Sequence, residues 1–245
     1  MLTTIGDSGL LADKTGATPP AVIALHGWMR TGGDFADIVS GLDAVAIHLP
    51  GMGVTPEPAA AWGSSEYADE VADAIRPFAP VVLVGHSFGG RVSVHLAAKY
   101  PELVSGIVLT GVPLVRLTAA PKPKLGFRVI RSLVRAKLLK PAVLERQRRR
   151  YGSADYLAAQ GVMRDILVTA VGENYDDALG RITAPVRMVW GEFDTSAPAD
   201  AGLAASEKIA NAKFRVVPGA GHLLDGDLRA AVREELLELI AEVAK

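Results

Sequence analysis

The run Val81-Val82-Leu83-Val84-Gly85-His86-Ser87-Phe88-Gly89-Gly90 constrains this chain more than any other stretch. A four-residue apolar strand enters Gly-x-Ser-x-Gly directly, and a helical pattern from Arg91 to Lys99 follows at once. Strand, sharp turn and helix in that order make a nucleophile elbow. Gly85 and Gly89 remove side chains where the turn folds on itself, so Ser87 can hold a strained backbone with its hydroxyl above the sheet edge. The free N–H groups that open the helix face any negative charge that develops there.

Apolar strands near 21–26, 44–49, 81–85, 106–110, 186–190 and 213–217 alternate with helices near 34–41, 66–77, 88–99, 199–210 and 227–244. Such alternation specifies a mostly parallel sheet with helices on both faces, an α/β/α sandwich of three layers. The last helix carries Leu228, Val232, Leu236, Leu239 and Val243 at helical spacing and closes one face. Ligands of these sheets bind beyond the carboxyl ends of the strands. The alternation breaks between about Leu114 and Gly180, where helical patterns recur at 126–139 and 153–167. A connection of that length needs structure of its own. The expected organisation is a core of 1–113 and 181–245 with a helical cap, 114–180, above the site.

A serine hydroxyl is a weak nucleophile at neutral pH and needs a base, itself oriented by an acid. Of the five histidines, His222 sits in the late loop Gly219-Ala220-Gly221-His222, between a strand pattern and the last helix, where a base must approach from above the sheet. His86 should point away from the Ser87 hydroxyl and reads as packing or support; His95 reads as structural. For the acid, the buried strand Val186–Trp190 leads into Gly191-Glu192-Phe193-Asp194. Asp194 is the expected partner of His222 and Glu192 the runner-up. The strand Ala21–Leu25 ends in His26-Gly27-Trp28-Met29, a turn that can aim the Trp28 N–H at the same point as that of Phe88. Two such donors form an oxyanion hole, each worth about 3 kcal/mol of barrier. His26 then stabilises the turn, and the Trp28 side chain lines the pocket.

With those residues in place the chain resembles the α/β-hydrolase superfamily over almost its full length. The resemblance rests on His26-Gly27-Trp28, Pro50-Gly51-Met52-Gly53, Gly85-His86-Ser87-Phe88-Gly89, Gly191-Glu192-Phe193-Asp194 and Gly219-Ala220-Gly221-His222, in the family's order. It implies the α/β-hydrolase fold and a serine esterase-like activity. Relatives often carry Asp where this chain has His48, a change that bears on hydrogen bonding near the site. A serine at the elbow also separates the chain from relatives resembling haloalkane dehalogenases or epoxide hydrolases, which use Asp there.

The chain's 245 residues suffice for one α/β domain with a modest insertion. Zero cysteines exclude disulfides, cysteine metal sites and a thiol nucleophile. No signal-peptide pattern opens the chain and no apolar run is long enough to span a bilayer, so a cytoplasmic enzyme without stable membrane insertion, monomer or homodimer, is expected. Residues 114–180 hold thirteen Lys and Arg against six Asp and Glu, a balance of +7 on a body of −8. A solvated, core-attracted lid face accounts for this; steering of an anionic substrate past Arg128, Arg131 and Arg135 is the sharper alternative. Nucleic-acid binding through Arg146-Gln147-Arg148-Arg149-Arg150 is not expected.

The expected function is hydrolysis of a carboxylic ester, or a related acyl substrate, through an acyl-enzyme. Ser87 attacks, His222 moves the proton, Asp194 fixes the imidazole, and no metal or organic cofactor is needed. The same apparatus in relatives cleaves lactones or the carbon–carbon bonds of β-diketone-like compounds, the nearest alternative. A non-catalytic ligand-binding relative and cofactor-independent oxygen chemistry are more remote.

Overall fold

The computed structural model describes residues 1–6, 9–117, 125–140, 142–146 and 153–244. Eight strands form one sheet: β1 (Leu2–Ile5), β2 (Leu10–Thr15), β3 (Val22–Leu25), β4 (Ala44–His48), β5 (Val81–His86), β6 (Val104–Thr110), β7 (Val186–Gly191) and β8 (Ala212–Val217). Their spatial order is β1-β2-β4-β3-β5-β6-β7-β8. Every pairing from β4 through β8 is parallel, whereas β1 and β2 join antiparallel at one edge. This is the fold class expected from the alternation.

Period two in the central strands divides the core between the two faces. Val22 and Ala24 of β3, Ala44 and Ala46 of β4, and Val82 and Val84 of β5 pack in one cluster with Leu228, Val232, Leu236 and Leu239 of the last helix, α8 (Gly226–Val243). Their alternates, Ile23 and Leu25, Val45 and Ile47, Val81 and Leu83, pack in the other cluster. There they meet α1 (Ser64–Ile75) and α2 (Phe88–Lys99) through Tyr67, Val71, Val92 and Leu96. Strands covered on both faces must be apolar throughout, which is why β3 and β5 read as unbroken hydrophobic runs.

Two segments before β5 differ from the sequence-based expectation. The antiparallel hairpin β1–β2 was not anticipated. Its strands are short, carry Asp13 and Lys14, and bury only alternate residues such as Leu10 and Ala12, so no continuous apolar run marks them. The helix expected at 34–41 is a 3-10 turn, Gly32–Phe35, followed by irregular turns. Gly32-Gly33 and Ser40-Gly41 bracket a run too short to offset helix nucleation. The helix-like spacing of Phe35, Ile38 and Val39 reflects burial against the sheet instead.

Between β6 and β7 the described residues include α3 (Leu125–Arg135), α4 (Ala154–Ala158), α5 (Gly161–Gly172) and α6 (Asp176–Arg181). The single helix expected at 153–167 is thus two, divided before Gly161, whose φ of 50° marks the break. Arg128's side chain and residues 147–150 of the arginine run lie outside the described residues. α7 (Ala199–Ser206) and α8 follow β7 and β8.

The elbow tolerates no bulk where α2 crosses β3. A Cβ at Gly89 would stand 2.0 Å from the Leu25 carbonyl oxygen, whereas one at Gly126 in α3 meets nothing within 4 Å. Gly89→Ala should therefore cost about 2 kcal/mol or more, because backbone must move. Gly126→Ala should stabilise by up to about 1 kcal/mol through helix propensity. Urea denaturation of the two variants checks this, and the reverse ranking would refute the packing described.

Candidate active site

Ser87 stands between β5 and α2 with φ 50° and ψ −112°, a backbone that L-residues adopt only under constraint. The constraint is visible on both sides. The Ser87 N–H donates to the Thr110 carbonyl at 3.0 Å and the Gly89 N–H to the His26 carbonyl at 3.0 Å. A Cβ on Gly85 would fall 2.7 Å from the Gly90 Cα. Glycine at 85 and 89 is thus a requirement of the close approach that holds the serine in position.

His222 and Asp194 arrive on neighbouring loops after β8 and β7, separated by 28 residues in the chain. His222 Nδ1 and Asp194 Oδ2 lie 2.7 Å apart. The other oxygen, Asp194 Oδ1, accepts the Ser196 and Ala197 N–H groups, each at 2.8 Å. Burial pushes this carboxyl up, but the His222 bond and the two backbone donors outweigh it and hold it below the usual carboxylate range. An ionised Asp194 fixes the proton on Nδ1 and leaves Nε2 with its lone pair. Glu192, the alternative acid, turns elsewhere: its carboxylate accepts the Gly219 N–H at 2.9 Å and braces the histidine loop.

Two other histidines build the scaffold of the site. His86 Nε2 meets the His222 carbonyl at 2.9 Å, and the two rings lie 4.9 Å apart. His26 contacts the Gly27 carbonyl through Nδ1 at 2.8 Å and receives the Leu49 N–H on Nε2 at 3.0 Å. Burial pushes both imidazoles down to about 4. Each is therefore neutral in the folded chain, His86 donating from Nε2 and His26 from Nδ1. His48, where relatives of the resembled family often carry Asp, reaches Asp13 of β2 at 3.1 Å.

These depressed values carry a stability consequence with a definite sign. The unfolded histidines bind protons near pH 6.5, the folded ones only near 4, so unfolding takes up protons between those limits. Stability is complete above pH 6.5 and falls as pH falls, by about 3 kcal/mol per histidine at most. Asp194, with its folded value lowered, withdraws its share only below that window. Urea unfolding between neutral pH and about pH 4.5 reads the slope, and a flat profile would refute it.

The Trp28 and Phe88 backbone N–H groups have no acceptor among the described residues. Phe88 is the first residue of α2, where a helix leaves its donors free. The Trp28 and Phe88 rings pack edge to face at 5.4 Å. Ser87, His222, Trp28 and Phe88 all line one cavity of about 410 Å³. The His222 bond to Asp194 leaves its Nε2 uncommitted among the described residues, and no hydrogen bond joins it to the Ser87 hydroxyl. Leu167, Ala170 and Val171 of α5 and Asp155 of α4 line the same cavity. Arg131 and Arg135, singled out as steering charges, are exposed on α3 and do not line it.

Sequence reasoning missed two contributors. Gly111 follows β6 with φ 58°, and a Cβ there would press within 3.0 Å of the His222 ring and 3.1 Å of Asp194 Oδ2. A glycine directly after a buried strand was the available signal. Arg91, one helical turn beyond Ser87, lines the cavity and was passed over as part of a helical pattern.

The profile of the Alpha/beta hydrolase family matches residues 22–235, which span every element of the site. The chain belongs to the alpha/beta hydrolase family. Among its relatives, the 2-hydroxy-6-oxononadienedioate/2-hydroxy-6-oxononatrienedioate hydrolase of Paraburkholderia phymatum is 25% identical over 262 residues, covering 94% of this chain and 90% of that protein. The pimeloyl-[acyl-carrier protein] methyl ester esterase of Chromobacterium violaceum is 28% identical over 229 residues, covering 83% and 87%. Among solved structures, an esterase from Exiguobacterium antarcticum superposes with a TM-score of 0.72 at 20% identity over 100% of both chains, a likeness of fold. The relatives thus include a methyl ester esterase and a hydrolase of oxo-dienedioates. Among the described residues of this alpha/beta hydrolase, no helix is long and apolar enough to cross a membrane.

Proposed function

We propose that this alpha/beta hydrolase cleaves carboxylic esters through an acyl-enzyme on Ser87. The observation that carries the reading is the buried Asp194 carboxylate bonded to His222 Nδ1 at 2.7 Å, with His222 and Ser87 on one cavity. In this reading His222 Nε2 takes the proton from the Ser87 hydroxyl as the oxygen attacks the ester carbonyl. Charge moves onto the carbonyl oxygen, where the N–H groups of Trp28 and Phe88 receive it. The imidazolium, balanced by Asp194, returns its proton to the departing alcohol. Water then enters, loses a proton to His222 and releases the acid. The helices of 114–180 serve as a cap, with Leu167, Ala170 and Val171 as its apolar underside.

A short p-nitrophenyl ester, assayed with and without a serine-directed phosphonate, tests the proposal. Turnover that stops on stoichiometric labelling of Ser87 is expected; absence of both turnover and label would overturn it. One specific observation favours a second reading. The relative that covers 94% of this chain is named a 2-hydroxy-6-oxononadienedioate/2-hydroxy-6-oxononatrienedioate hydrolase, and the reading it favours here is the carbon–carbon cleavage of a β-diketone-like compound. The same three residues would serve that reaction, and preferential turnover of such a diketone over every ester would select it.

A further inference from the structure

Two buried donor groups at the cavity lack any acceptor. Trp28 Nε1 and Arg91 Nε are shut from solvent and hydrogen-bonded to nothing among the described residues, and both residues line the cavity that holds Ser87. Neither side chain can accept a hydrogen bond, so only an acceptor can satisfy them. Buried polar atoms without partners are rare enough in folded proteins to require a reason.

The charges around the cavity narrow the reason. Arg30 lines it too, but its guanidinium is held by Asp34 through two bonds of 2.6 and 2.7 Å. Arg91 has no carboxylate partner among the described residues. Its Nη1 donates to the Ala170 carbonyl at 2.6 Å and its Cζ lies 5.8 Å from the Tyr175 ring centre. Glu173, which bonds the Tyr175 hydroxyl, is engaged by Ser64 through both its N–H and its hydroxyl, each at 2.7 Å. Asp155 is exposed at the lining, where water screens it. Arg91 therefore brings a half-buried positive charge to the cavity with no anion to match it.

We infer that Arg91 is a specificity residue that holds a carboxylate of the substrate, so that the preferred ester is the hemi-ester of a short dicarboxylic acid. The inference rests on the ester-cleaving reading of Ser87. The Arg91 N–H bonds the Ser87 carbonyl at 3.3 Å, one turn along α2, so the two residues are about 6 Å apart along the helix axis. Both residues line the same cavity of about 410 Å³, which can hold a short chain with an ester carbonyl at one end and a carboxylate at the other. The guanidinium also ties α2 to the carboxyl end of α5 through Ala170, so a purely structural tie between core and cap is the reading to be beaten.

The test compares monoethyl adipate with ethyl hexanoate, a neutral ester of the same acyl length, on wild type, Arg91→Met and Arg91→Lys. Wild type should prefer the hemi-ester in kcat/KM. Arg91→Met should lower that preference about 10- to 100-fold, mainly through KM, with Arg91→Lys between them. Equal losses on both esters, or no preference in wild type, would reduce Arg91 to a structural tie and overturn the inference. Should Arg91→Met fail to fold, Arg91→Lys and Arg91→Gln read the same ratio. Calorimetric binding of adipate to Ser87→Ala and to Ser87→Ala/Arg91→Met separates this inference from the ester reading. If wild type hydrolyses neither ester, the ester reading fails, and adipate binding about tenfold weaker in the double variant still upholds the carboxylate site. Adipate binding that is absent, or equal in both variants, overturns it.

Discussion

Ser87→Ala is expected to lower ester turnover by ~10⁴ to 10⁶-fold while the chain melts as wild type does. Alanine keeps the Cβ and therefore the same backbone demand at φ 50°, so the elbow, its bond to the Thr110 carbonyl and the packing of α2 persist. What disappears is the hydroxyl that forms the acyl-enzyme in the proposed mechanism. Residual hydrolysis would come from the two N–H donors and from proximity alone. Steady-state kinetics on a p-nitrophenyl ester, beside thermal unfolding, makes the measurement. Retention of more than about a tenth of the activity would place the nucleophile elsewhere.

The second large effect separates two carboxylates that lie two positions apart. Asp194→Asn should cost ~10³ to 10⁴-fold in kcat, and Glu192→Gln well under tenfold. Asp194 Oδ2 accepts the hydrogen bond of His222 Nδ1–H, with N and O 2.7 Å apart, while Oδ1 accepts two backbone N–H groups. An amide can keep its oxygen on those two donors only by presenting NH₂ to Nδ1. That reverses the tautomer and moves the lone pair away from Ser87. Glu192 bonds the Gly219 N–H from an exposed position, so its amide still accepts that bond. Comparable losses at the two positions would mean that the histidine loop is positioned by Glu192 and not oriented by Asp194.

The difference in legibility between these residues has a physical origin. Ser87 is announced by local sequence because the strand, the two close-packed glycines and the helix are contiguous. The choice of Asp194 over Glu192 depends on where two loops meet, and position after a buried strand favoured it without excluding its neighbour. Arg91 falls on a helix where arginine is unremarkable; its meaning comes from Ala170 and from a cavity wall supplied by α5. Gly111 is similar, since its φ of 58° and the approach of His222 and Asp194, neither visible locally, explain the missing side chain. For the fold, the parallel strands were readable as apolar runs because both their faces are covered. The edge strand β2 buries alternate residues only, and its register comes from β4, from Leu11 opposite His48 to Thr15 opposite Ala44.

The bond between His86 and the His222 carbonyl joins residues 136 positions apart. During synthesis at 5–20 residues per second, the serine therefore leaves the ribosome on the order of ten seconds before the base that is proposed to activate it. The nascent elbow meets the cell's esters as an ordinary alcohol in that interval. A chain interrupted between α2 and β8 would carry the serine and no base. On the proposed mechanism, hydrolytic competence switches on once the last strand pairs with β7 and its loop settles over His86, so unfinished chains are harmless to the metabolites around them.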